Sequence, residues 1–199
     1  MEGADHMPCD DWLHCRCYKR RTILGLALAP LLMLAGPARA AEEGEATKPP
    51  APDDRFVFLT GPKNGQVVRA EDLALGGPQV QAYPMAPDGT VRSDSRLNLV
   101  ILARFDPAAL SDETRTRAAD GVVAYSAICP HQGCPVNMWS KERNAFVCSC
   151  HASIFDPRNA AEVIGGPAPR PLAALGLKLK DGVVTVASAF SGHVGVTQN

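Results

Sequence analysis

Two short boxes constrain this chain more than anything else in it: Cys129-Pro130-His131-Gln132-Gly133-Cys134 and Cys148-Ser149-Cys150-His151-Ala152-Ser153. They set thiols and imidazoles in a Cys-x-His plus Cys-x-x-His pattern, with sixteen residues between His131 and Cys148. A further cysteine, Cys134 or Cys150, sits in each box. Thiolates and imidazoles are metal donors. From donor type alone the set suits either an iron–sulfur centre or a tetrahedral zinc.

The constellation closely resembles the Rieske iron–sulfur family, in which a [2Fe–2S] cluster has cysteines on one iron and histidines on the other. The resemblance implies one cluster per chain, with Cys129 and Cys148 on one iron and His131 and His151 on the second. Neutral imidazoles in place of two anionic thiolates make the core less negative and raise its potential. The resemblance also implies a Cys134–Cys150 disulfide pinning the two loops together, a bond that persists in an exported protein. Against zinc stand this extra cysteine pair, Ser153 and the Pro-rich loop downstream. A zinc-stabilised binding module with no redox role is the alternative from another functional class.

The chain of 199 residues has a net charge of −1, too balanced for the basic surface that nucleic-acid binding calls for. Glycine and proline number 17 each against 6% aromatics, which favours a turn-rich fold over a helical bundle. Residues 1–40 read as a polar leader followed by an export signal. His6, Cys9, His14, Cys15 and Cys17 crowd the leader without a ligand framework. Lys19-Arg20-Arg21-Thr22 then precedes an apolar run, as in twin-arginine signals, and Ala38-Arg39-Ala40 offers a cleavage site. That run is interrupted by Pro30 and shorter than the ~20 residues of a spanning helix, so cleavage is preferred over an uncleaved anchor. The expected location is periplasmic, with anchoring to the inner membrane as the alternative. Residues 41–54, acidic and Pro-rich, read as a flexible linker.

From residue 55 to 199 the pattern is one of short strands, expected near 56–59, 80–83, 97–104, 122–126, 146–148, 175–179 and 183–186. Pro84 is expected to end the second, a short helix to lie within 106–117, and Asp181-Gly182 to turn a hairpin. The fold class is all-β. By the resemblance it is an antiparallel sandwich or barrel carrying a small inserted cluster-binding subdomain, about 128–170.

The resemblance further places Gln132, Gly133, Ser153, Phe155 and Pro167 around the cluster. A serine at position 153 donates to a bridging sulfide in quinol-oxidising relatives and raises the potential. Gly165-Gly166-Pro167-Ala168-Pro169 is similar to the loop that covers the cluster from a third side. Two positions depart from those relatives: Gln132 replaces an apolar residue beside the quinol contact, and Phe155 replaces a tyrosine that bonds a cysteine sulfur.

What the resemblance implies is a one-electron carrier subunit of an oxidoreductase rather than a catalyst by itself. Its partner would be a cytochrome c or a catalytic subunit, with quinol as a further candidate. Arsenite-oxidase small subunits share the export signal, Ser153-Ile154-Phe155-Asp156, and surroundings such as Tyr83-Pro84 and 123–126. The Rieske subunit of a quinol–cytochrome c reductase, membrane-tethered, is the other candidate. If the missing hydroxyl lowers the potential, Phe155→Tyr raises the midpoint in an EPR-monitored titration, and an unchanged midpoint contradicts this account.

Overall fold

The computed structural model describes residues 44–197. The leader, the export signal and its cleavage site lie outside the described residues. Ten strands follow one another: β1 (Arg55–Phe58), β2 (Val80–Met85), β3 (Val100–Arg104), β4 (Val122–Ser126), β5 (Val136–Ser140), β6 (Ala145–Cys148), β7 (Ile154–Asp156), β8 (Glu162–Gly165), β9 (Ala174–Lys180) and β10 (Val183–Phe190). One short helix, α1 (Asp112–Arg117), starts at Ser111, whose hydroxyl accepts from the Thr114 amide. The all-β expectation holds.

Six strands close an antiparallel barrel in the order β1-β10-β9-β4-β3-β2, and β5-β6-β7-β8 form a separate antiparallel sheet inserted between β4 and β9. Strands β3 and β4 belong to both cores, because alternate side chains leave a strand on opposite faces. Val100, Leu102, Val122 and Ala124 fill the barrel with Phe56, Val68 and Val184. Ile101, Ala103, Val123 and Tyr125 face the other way, into a core with Val136, Phe146 and Phe155 of the inserted sheet. This double burial is why both strands read as continuous apolar runs instead of alternating ones. It also welds the inserted sheet to the barrel wall.

The Asp181-Gly182 hairpin forms as expected, with φ of 53° and 76° at its two central residues. Other boundaries shift for local reasons. Pro84 lies inside β2, opposite Phe56 of β1. The β2–β3 ladder has already ended at Ala82, so the missing amide of Pro84 costs no bond on that side. The strand expected from 97 begins at Val100, after a 3-10 turn at Arg96–Asn98. Asp106 caps a separate turn by accepting from the Ala108 amide, and α1 begins only after it.

Within the stretch expected to be a flexible linker, the chain is fixed to the barrel from Glu45 on. Asp54 is fully buried and accepts from Arg92 Nε at 2.6 Å and Nη2 at 3.1 Å. The same guanidinium pairs with the Glu45 carboxylate at 2.6 Å, and Asn98 Nδ2 donates to the Lys48 carbonyl at 2.7 Å. The Lys48 ammonium and Arg92 hold the Glu45 carboxyl below the ordinary carboxylate range. Composition gives no sign of this, because the partners lie 38 to 50 residues away. Removing the cation would leave Asp54 buried and unpaired. Arg92→Met should therefore lower the unfolding free energy by about 3–5 kcal/mol in chemical denaturation, and a change within about 0.5 kcal/mol would show the pair to be ornamental.

Candidate metal centre

The two boxes fold into congruent loops. In the first, the Cys129 amide donates to the Cys134 carbonyl at 2.8 Å and the Gly133 amide returns to the Cys129 carbonyl at 2.8 Å. In the second, Cys148 donates to the Ser153 carbonyl at 2.9 Å and Ala152 returns to Cys148 at 3.1 Å. Each loop turns through a left-handed residue at the matching place, Gly133 (φ 71°) and Ala152 (φ 54°). Glycine takes that conformation freely, whereas alanine stores about 1 kcal/mol there.

Each loop hangs from a strand end. Ile128 bridges Pro135, and the Ala127 amide donates to Leu99 beside β3, which anchors the first loop to the barrel wall. β6 ends at Cys148, and β7 begins just past Ser153, which anchors the second loop to the inserted sheet. Cys134 and Cys150 form a disulfide across the loops, as the sequence resemblance implies.

Between the loops, Cys129 and Cys148 are free thiols, each 1% exposed. Burial pushes the Cys129 thiol up; the His131 amide and the Ser153 hydroxyl pull the other way, and the neighbouring Cys148 sulfur adds to the rise. The His131 and His151 rings stand edge to face with centroids 4.7 Å apart, half-buried and exposed respectively. His131 Nδ1 is buried with no hydrogen-bond partner among the described residues. An orphaned buried imidazole nitrogen is costly unless something electropositive satisfies it. The donor set therefore fits a metal centre that takes two thiolates and two imidazoles. Cys134, Cys148 and Cys150 also bring their sulfurs within 4.8 Å of one another, but two of these are spent in the disulfide.

Beyond the disulfide, the Pro-rich loop packs on the second box. Gly166 (φ 82°) lies so close that a Cβ there would come within 2.5 Å of Ser153 Cα and 2.7 Å of the Ala152 carbonyl. The Ala168 amide donates to Ser153 Oγ at 3.1 Å, which leaves the serine proton free for the Cys129 sulfur. Pro167 and Gln132 are exposed and Phe155 is fully buried. A hydroxyl added at Phe155 would thus need a partner inside the protein.

Three contributors escape a sequence reading, two of them because their partners are remote backbone carbonyls. Arg96 donates to the Gly133 carbonyl. Tyr125 donates to the Pro157 carbonyl at 2.9 Å, 32 positions on, and burial pushes its phenol up to about 12. Ala152 has the wrong residue type for its conformation and gives no signal. Ser153→Ala removes the acceptor for the Ala168 amide and should cost about 1–3 kcal/mol of stability with faster amide exchange at 166–168; unchanged exchange there would refute the contact.

Residues 100–180 match a family described as the Rieske [2Fe-2S] domain. The Rieske iron–sulfur subunit of the cytochrome bc1 complex from Streptomyces lividans is 29% identical over 146 residues, covering 69% of this chain and 84% of the relative. A putative respiratory nitrate reductase Rieske subunit from Haloferax mediterranei is 32% identical over 165 residues, 81% of this chain and 69% of the relative. The matched stretch spans only 40% of the bc1 Rieske subunit from Streptomyces coelicolor and 34% of the one from Mycobacterium tuberculosis. Among solved structures, the plasma-membrane Rieske protein of Synechocystis aligns at 24% identity with a TM-score of 0.35, over 54% of this chain and 86% of that one. That superposition is too loose to add to the strand order described above. The Haloferax relative, similar across more than two thirds of its length, and the domain match over both boxes lead to one conclusion: this chain belongs to the Rieske family, whose domain binds a [2Fe–2S] cluster.

Proposed function

We propose that the protein is an exported one-electron carrier of a respiratory oxidoreductase, holding one [2Fe–2S] cluster through Cys129, Cys148, His131 and His151. The observation that carries this reading is the pair of congruent loops, with two thiols buried between them and two imidazoles edge to face, of which His151 is exposed. When bound, the cluster supplies reversible one-electron storage. The protein's own residues do the rest. Cys129 and Cys148 hold the inner side away from water, and the exposed His151 forms the edge a redox partner meets. Ser153, fixed by the Ala168 amide, keeps its hydroxyl proton toward the sulfur side, where a donor stabilises added negative charge. The loop at 165–169 closes over the second box.

For the partner, Ser153-Ile154-Phe155-Asp156 and the twin-arginine pattern support a small subunit similar to those of arsenite oxidases, located in the periplasm. The names of the Streptomyces and Mycobacterium relatives favour a second reading, a membrane-tethered subunit of a cytochrome bc1 complex that takes electrons from quinol and gives them to a cytochrome c. Among the described residues no helix is long and apolar enough to cross a membrane.

The test is an EPR-monitored redox titration of the purified protein at two pH values, alongside metal analysis. A Rieske-type signal is expected, with a positive midpoint that falls at alkaline pH, inside the class range of about −150 to +300 mV. A midpoint near the low end would remove the respiratory assignment. Zinc in place of iron would overturn the cluster reading altogether.

A further inference from the structure

Three loops meet around the cluster pocket, and two of their three junctions have been described: the disulfide joins the first box to the second, and Ser153 and Gly166 join the second box to the Pro-rich loop. The third junction is made by the C-terminal residues 191–197. The Ser191 amide donates to the Ala174 carbonyl of β9 at 2.8 Å, which launches the segment from the barrel. Arg170, at the end of the Pro-rich loop, then donates Nη1 to the His193 carbonyl at 2.8 Å and Nη2 to the Gly195 carbonyl. Val194 packs on the core that contains Cys129 and Cys148.

Past Arg170 the segment reaches the first box. Gly195 (φ 73°) has no Cβ because one would lie 3.1 Å from Ile128 Cγ2, next to Cys129. A Cβ on Gly133 would touch Val196 Cγ2 at 3.6 Å and Arg96 Nη2 at 3.2 Å. Arg96 meanwhile donates to the Gly133 carbonyl from the barrel side. His193 Nε2 lies 3.0 Å from the Val196 carbonyl, so His193 braces the segment internally.

We propose that residues 191–197 form a positioning strap, locked by Arg170, that ties the Pro-rich loop to the first box and closes the ring of loops around the cluster pocket. One guanidinium holding two carbonyl acceptors two residues apart fixes direction as well as distance. Without it, the Pro-rich loop keeps its contact with the second box but loses its tie to the first. Arg170 touches neither thiol nor imidazole and acts through the strap.

The proposal rests on the cluster reading for its spectroscopic arm and on the fold alone for its exchange arm. The experiment compares the full-length holoprotein with Arg170→Met and Arg170→Lys by amide hydrogen exchange and EPR. Arg170→Met should speed exchange about tenfold or more at 129–134, 166–170 and 193–197 together, with β3 and β4 unchanged and the cluster signal broadened or shifted. Arg170→Lys, which keeps one donor of the fork, should fall between. Acceleration confined to 193–197 with an unaltered signal would overturn the strap, as would acceleration spread through β3 and β4. If the wild type carries no cluster, the cluster reading fails, and the joint or separate exchange of the three segments still decides the strap.

Discussion

Everything in this fold answers to two thiols buried side by side. Cys129 and Cys148 are each nearly sealed from solvent, and burial of the first pushes its thiol up. Left alone, such a pair gives little to stability and resists the ionised state a metal needs. The loops therefore have to be held in place by interactions that do not depend on the thiols. Backbone bonds close each loop on itself, the disulfide fixes one loop to the other, and the Ser153 hydroxyl and His131 amide point toward the Cys129 sulfur. Donors aimed at a sulfur favour negative charge there, so the same contacts that oppose the effect of burial would stabilise a bound, reduced centre.

The loops are only as rigid as the strands they hang from. β3 and β4 are buried on both faces, with Val100 and Leu102 in the barrel and Ile101 and Tyr125 against the inserted sheet. A displacement of β3 or β4 would disturb both cores at once. Tyr125 extends this coupling by donating from β4 to Pro157, beyond β7, so the barrel wall grips the far side of the second box. Close packing on two sides transmits strain instead of absorbing it. This suits a site whose geometry must not relax when the charge of its occupant changes by one electron.

What was legible in the sequence was what is local. Cysteine and histidine spacing reveals the boxes, Asp181-Gly182 reveals the hairpin, and unbroken apolar runs reveal β3 and β4. The resemblance supplied the disulfide. What stayed hidden depends on partners far along the chain. Arg92 and Asp54 look like surface charges until the fold places them face to face at 4% and 0% side-chain exposure. Arg96 and Arg170 find backbone carbonyls, which any residue can offer, so no side-chain pattern marks them. β5, β7 and β8 are short and partly exposed, so their apolar signal is weak. Ala152 shows the limit most clearly, since its left-handed backbone is imposed by loop closure against its own preference.

The segment 92–98 turns out to be the junction on which these remote contacts converge. Arg92 and Asn98 hold the N-terminal stretch from Glu45 to Asp54, and the Asp94 amide donates to the Ala46 carbonyl at 3.2 Å. Arg96 holds the first box at Gly133, and Leu97 lies against Gly195 of the C-terminal segment. One short stretch thus joins the start of the described chain, the metal-centre loop and the segment around Gly195. Residues 45–54 are consequently bound to the barrel at both ends of their run. The N-terminal stretch is thereby tied, through one arginine and one asparagine, to the same short segment that holds the metal-centre loop at Gly133.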